Sequence, residues 1–316
     1  MSGDHTMSVE EPAPSRFDVR DFARTAVGSH RSEIDLDAFA ETPLDAATVR
    51  VLAYLREIER STMTYLRNVL VTPTHKDARV TAFLTTWAFE KYWIADAFEV
   101  IVRAHDFDPE EVVDLSRFRT IALEIAERST PIIESFRANA IGPDVIGVHL
   151  ASVTVDEWIT ESAYRRLIER APHPQLTPLL ERVLEVKTRH RAFVEPEANL
   201  RLGESALARR LARRTLPKTA WPIGASSLAK SGTADFYEQL IDDALAEQVD
   251  AKARALPGLE SLHLVTNARA KALGAAGGSH TVGRALGRAA ANVTHLLSPT
   301  AHKAPTTTPT KGGTNG

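Results

Sequence analysis

The chain contains no cysteine, which excludes disulfides, zinc–thiolate sites, cysteine-ligated iron–sulfur clusters and thiol nucleophiles together. No run approaches the roughly 18 apolar residues at which a membrane-spanning helix becomes a candidate. The formal net charge is only −3, too small for a global argument toward nucleic acid or membrane surfaces. The first 30 residues mix Asp, Glu, Pro and Arg without an apolar core, so no secretory signal is expected and a cytoplasmic location is the default expectation. Strand-type alternation is missing from every segment. What remains, at 43% hydrophobic and 25% charged residues, is the composition of an ordinary soluble globular protein. With 316 residues it is long enough for one large domain with an appendage.

The apolar residues recur at helical spacing, and in four segments the stripe is interrupted by ionisable groups. In the first, Leu52, Leu55, Thr62, Leu66 and Val69 are interrupted by Glu59. In the second, Val80, Phe83, Trp87, Ile94, Phe98 and Ile101 are interrupted by Lys91, with Glu90 at the edge. The third stripe (Ile146, Leu150, Val153, Tyr164, Leu167) is interrupted by Glu157 and, more peripherally, by Glu161. In the fourth, Leu176, Leu180, Val183 and Val194 share their face with Lys187 and His190. A buried lysine costs several kcal/mol unless its charge is compensated. Four helices that each carry such groups partway along an apolar seam are most simply satisfied by facing one another, as in a four-helix bundle with a polar waist.

The order along the chain supports two hairpins. Thr42-Pro43-Leu44-Asp45 predicts a helix start, with Thr42 as cap and proline at the first position. Helices are expected over about 44–70 and 78–105, joined across the short link 72–77. A second pair is expected over about 144–170 and 175–196, joined across Ala171-Pro172-His173-Pro174. Between the pairs, residues 110–142 form a long connection with a crossover helix, disturbed at Pro131. Short loop, long crossover, short loop is the connectivity of ferritin-like folds.

Outside the seams, residues 1–41 read as a flexible N-terminal segment, 42–200 as the bundle and 201–262 as a helical appendage packed on it. The appendage contains a helix over about 233–255, whose stripe Phe236, Leu240, Ile241 and Leu245 needs a partner. Residues 263–316 read as a basic, largely disordered tail. From Ser261 onward there are six Lys or Arg and no acid, with a weak amphipathic helix over 282–297.

Several residue runs resemble the ferritin-like diiron-carboxylate superfamily, and more closely its members distantly related to acyl-carrier-protein desaturases. The runs are Phe83-Leu84-Thr85-Thr86-Trp87, Glu157 followed by Tyr164, Arg189-His190 followed by Phe193, and Leu256-Pro257-Gly258-Leu259. The resemblance spans roughly residues 42–260. It implies an all-α fold: a ferritin-like antiparallel four-helix bundle with a crossover helix and a C-terminal helical appendage. It also implies a two-metal site built from lone glutamates on the first and third helices and a Glu-x-x-His pair on the second and fourth. Carried over, Glu59 and Glu157 stand at the lone-glutamate positions and His190 at the fourth-helix histidine. The other positions depart: Lys91 and Ile94 replace the second-helix Glu and His, and Lys187 replaces the fourth-helix Glu. Glu90 lies one residue off register, which places Trp93 at the histidine spacing.

Charge counting weighs the departure. In the family pattern four glutamates neutralise two divalent ions. Here Glu59 and Glu157 face Lys91 and Lys187, already neutral, and two added divalent ions would leave four uncompensated charges in the core. The resulting expectation is a pseudoenzyme or scaffold protein with a Glu–Lys–His cluster and no cofactor. A second reading is an oxygenase- or desaturase-type oxidoreductase with a remodelled iron or manganese site. Its ligands would be Glu157, Glu161, His190 and Glu90 or Glu59, or a buried lysine of lowered pKa, Lys187 or Lys91, would act as its catalytic base. A third reading makes the bundle a platform for a partner-binding basic tail. A homodimer is compatible with all three, and nucleic acid is not expected as a partner.

Overall fold

The computed structural model describes residues 17–113 and 142–274. These residues are helical, with no strand among them. Four long helices carry the core. Helix α1 (Val19–Arg24) and helix α2 (Leu36–Glu41) precede them. The first long helix is α3 (Ala46–Leu70), and its start differs from the predicted cap. Thr42 closes α2, and Asp45 caps α3 by accepting the Ala47 and Thr48 amides, both at 2.9 Å. An aspartate one residue before the helix outcompetes the Thr-Pro signal because its carboxylate reaches two otherwise unpaired amides.

Helix α4 (Ala78–Ala104) starts at Asp77, which accepts the amides of Arg79 and Val80. Helix α5 (Val145–Arg170) and helix α6 (Leu176–Glu204) form the second pair. The predicted crossover helix over 110–140 falls almost wholly outside the described residues. Helix α6 runs past Pro196, where the sequence predicted its end. A proline inside a helix costs about 3 kcal/mol, and burial of Glu197, Ala198 and Leu202 in the following turn offsets it.

Side-chain pairs give the directions. Glu59 meets Lys91 while Arg56 meets Glu99, so α3 and α4 are antiparallel. Thr154 meets Val194 and Thr160 meets Lys187, so α5 and α6 are antiparallel. Trp87 meets Glu157 and Phe98 meets Tyr164, so α4 and α5 run parallel. A short link can join only antiparallel neighbours, so a long connection between α4 and α5 is a geometric necessity.

The N-terminal expectation needs correction. Within the segment read as flexible, residues 17–41 carry α1 and α2, and Phe22 and Phe39 are buried. Phe22 stacks on Phe83 at 5.3 Å and Phe17 meets Phe193 at 5.3 Å. Two aromatic rings offset the entropy of ordering so short a helix. Residues 1–16 lie outside the described part.

After α6 come α7 (Ala206–Thr215), α8 (Lys230–Leu240) and α9 (Asp243–Arg254). The single helix predicted over 233–255 is two, broken at Ile241 because Asp242 caps α9 through the Leu245 amide. A last helix, α10, covers 264–274. Asp250 accepts the amides of Leu264, Val265 and Thr266 at its start. The folded part therefore extends beyond the boundary predicted at 262; the rest of the basic tail and the 282–297 helix lie outside the described residues. Between α7 and α8 the loop Trp221–Ser227 folds onto α3 and α5. Gly224 has φ +98°, and a Cβ there would come within 2.0 Å of Ser61 Oγ, so only glycine fits.

Candidate functional site

Helix α5 is buried on every side from Val145 to Glu161, with His149 half-buried. A helix of that kind lies inside a fold rather than on its surface. Its charged residues are thereby held in the interior. Glu157 points into the seam between α3, α4 and α6, and its neighbour Asp156 points toward the Trp221–Ser227 loop, where the Ile223 amide donates to it at 2.8 Å.

Two ammonium groups stand among these carboxylates. Lys187 Nζ lies 2.9 Å from Glu59, 3.0 Å from Thr160 Oγ1 and 3.4 Å from Glu157, one acceptor for each of its three protons. Lys91 Nζ lies 3.0 Å from Asp156, 3.1 Å from Glu59 and 3.6 Å from Glu157. Both lysines are wholly buried. Tyr164 donates a short hydrogen bond to Glu59, and Trp87 Nε1 donates to Glu157 at 2.8 Å. The Trp87 face also lies 4.9 Å from Lys91 Nζ, within cation–π range.

His190 extends the cluster toward α1. Its Nε2 is 2.7 Å from Glu90 and its Nδ1 is 3.4 Å from Glu157. A carboxylate at each ring nitrogen can only accept, so the ring serves as a double donor, an imidazolium. Glu90 also accepts the Val27 amide at 2.7 Å and pairs with Arg189 at 3.3 Å. The Phe22 ring covers His190 edge-on at 6.2 Å. The cluster thus holds four carboxylates (Glu59, Glu90, Asp156, Glu157) against two ammoniums, one imidazolium and one guanidinium, and is formally neutral.

The protonation states follow from these neighbours. Burial pushes Glu59 and Glu157 up, but Lys187 and Lys91 outweigh it and hold Glu59 below, and Glu157 well below, the usual carboxylate range. Burial dominates at Asp156, which is raised despite Lys91 and Lys187. At Lys91 burial pulls down, while Asp156, Glu59 and Glu157 pull up and prevail. The lowered-pKa base expected on the oxidoreductase reading is therefore not found at Lys91. His190 is likewise raised, burial being outweighed by Glu157 and Glu90.

Of the residues singled out from sequence, Glu59, Glu90, Lys91, Glu157, Lys187 and His190 converge. Glu161 does not: Arg165 at 2.8 Å and Arg191 hold it on the outer side of α5. Sequence reasoning missed Asp156 altogether and placed Trp87 and Tyr164 on apolar stripes without a polar role. The available signal was the acid pair Asp156-Glu157 inside an otherwise apolar stretch. The ligand set of a two-metal centre does not fit. The space between Glu59 and Glu157 is occupied by two ammonium groups, both nitrogens of His190 already face carboxylates, and Glu161 is turned away. Elsewhere, Glu247, Asp250 and His263 lie close enough to share an ion. There Asp250 is committed to the start of α10, and Arg254 sits beside both Glu247 and His263.

The chain matches no protein-family model, no curated protein and no solved structure.

Proposed function

We propose that the chain is a ferritin-like protein in which a buried lysine–carboxylate–histidine cluster stands where diiron-carboxylate proteins hold their metals, and that it acts as a metal-independent scaffold or binding protein. The observation that carries this reading is the position of the two lysines. Both ammonium groups lie between Glu59 and Glu157, the pair carried over as lone glutamate ligands, at 2.9–3.6 Å. Cations covalently tied to the chain neutralise the carboxylates that would otherwise recruit divalent ions. Support for the fold assignment comes from the helix directions, with a short link in each hairpin and a parallel α4–α5 pair bridged by a long connection.

A divalent ion entering the cluster would have to displace an ammonium from its carboxylates without moving it to water, and separated buried charges cost several kcal/mol each. The oxidoreductase reading requires that displacement. Two measurements separate the readings: elemental analysis of protein expressed with added iron and manganese, and melting with and without ferrous or manganous ion. We expect no stoichiometric metal and no rise in melting temperature. Two metals per chain, or a rise growing with ion concentration as RT ln(1 + [L]/Kd), would overturn the metal-independent reading.

A further inference from the structure

We propose that Lys91 and Asp156 condense into an intramolecular isopeptide bond that ties α4 to α5 inside the core. Lys91 Nζ is 3.0 Å from Asp156 Oδ2, and the two side chains are 0% and 2% exposed, so amine and carboxyl face each other with bulk water excluded. Asp156 differs from the other carboxylates of the cluster in its commitments. Glu59 meets Lys187 and Tyr164 through Oε1 and Lys91 through Oε2, and Glu157 is shared among Trp87, Lys187, His190 and, at 3.6 Å, Lys91, whereas Lys91 is hydrogen-bonded to Asp156. Among the described residues Asp156 has Lys91 as its ion-pair partner, and its other oxygen accepts the Ile223 amide at 2.8 Å. That bond immobilises the carboxyl group and draws electron density from its carbon, as a backbone donor does for any acyl group under attack. The Trp87 ring flanks the amine on the remaining side.

The step balances without an oxidant or a co-reactant. Asp156 Oδ2, 3.0 Å from Nζ, takes one proton from the Lys91 ammonium, a transfer that burial of the carboxylate favours and the acids around Lys91 oppose. The neutral amine attacks the neutral carboxyl carbon. A second proton leaves the nitrogen and ends on the departing hydroxyl. One N–C bond forms, one C–O bond breaks, and one water leaves. Held in contact, the two groups react at an effective concentration of the order of 10⁵ M or more, which favours condensation over the hydrolysis that prevails between separate molecules in water. The amide removes one positive and one negative charge, so the cluster stays neutral and Lys187 keeps its three acceptors. The bond does not depend on the scaffold reading above: once it forms, Lys187 and His190 are the cations left to balance Glu59 and Glu157.

Intact-mass spectrometry of the full-length protein tests it directly. We expect wild-type protein to be lighter than its sequence by one water, about 18 Da. Tryptic digestion should leave residues 80–103 uncut at Lys91 and joined to residues 138–165 in one branched species. Asp156→Ala, which keeps Lys91 but removes the acyl group, should have its full sequence mass and give three separate peptides, 80–91, 92–103 and 138–165. Wild-type protein at full sequence mass overturns the proposal, whatever its metal content. So does a mass deficit without the branched species, or one that persists in Asp156→Ala.

Discussion

The energetics of this protein are set by single side chains that no helix could bury alone. Lys187 makes ion pairs with two carboxylates at full burial. Lys187→Met removes its charge and leaves Glu59 without its nearest cation and Glu157 with His190 as its nearest. Breaking a buried pair from one side costs about 3–5 kcal/mol, and chemical-denaturant unfolding should show a loss of that size. Lys187→Glu is the more discriminating variant, because it restores the Glu-x-x-His spacing with His190 and makes the cluster net negative. It should be less stable than wild type, and ferrous or manganous ion should raise its melting temperature; unchanged melting with either ion would contradict the charge argument.

Two histidines give opposite pH signatures. His149 is depressed to about 4 by burial. Its unfolded form binds a proton below about pH 6.5 while the native form does not, so stability falls as pH drops from about 6.5 to 4, by at most about 3 kcal/mol. His190 is raised, so its contribution is complete below the ordinary histidine value and is lost as pH rises through the elevated one. Unfolding titrations of His149→Gln should show a shallower acid slope than wild type. An unchanged slope would mean that the ring is hydrated in the native state.

At the scale of elements, α1 and the Trp221–Ser227 loop close the cluster from two sides. Helix α1 is held by Phe22, by the Val27 amide on Glu90, and by Arg189, whose guanidinium lies 5.0 Å from the Phe22 ring. A six-residue helix has no independent stability, so its order derives from these contacts. Phe22→Ala should therefore raise amide exchange across residues 19–27 while α5, buried on nearly all sides, keeps its protection. Equal loss of protection in both would show that α1 belongs to the global folding unit. The loop contributes through Ile223, whose amide satisfies a carboxylate that would otherwise be buried with one acceptor unpaired.

At the scale of the molecule, the elements beyond α6 are part of the core. Helix α7 packs on α5 so closely that a Cβ on Gly147 would meet that of Ala208 at 3.3 Å, and that of Arg201 on α6 at the same distance. Phe236 stacks on Tyr54 at 5.1 Å, and Tyr237 donates to the Trp221 carbonyl. A chain ending at Glu204 would expose the outer side of α5, including Asp156 with no amide to meet it. We expect that truncation to be aggregated or molten, with far-UV helicity retained and cooperative melting lost. A monomeric product that melts cooperatively would show the four long helices to be self-sufficient.

The sequence alone determined the helical class, the four seams and the identity of six of the clustered residues. Those are consequences of local rules: periodic burial, caps, and the cost of a lysine on an apolar stripe. Asp156 escaped because period-3.6 reasoning assigns one face to the core, whereas α5 is covered on nearly all sides by segments distant in sequence. Glu161, read as peripheral to its stripe, is paired there with Arg165 and Arg191, and only packing brings Arg191 to it. The ordering of residues 17–41 was equally invisible, because Phe17 and Phe22 gain stability only against Phe83 and Phe193, and Phe39 only against His105 and His173, all distant in sequence. Which carboxylate faces which lysine was likewise decided only by tertiary structure, because charges on separate helices choose partners by distance in space, and no spacing along the chain encodes that.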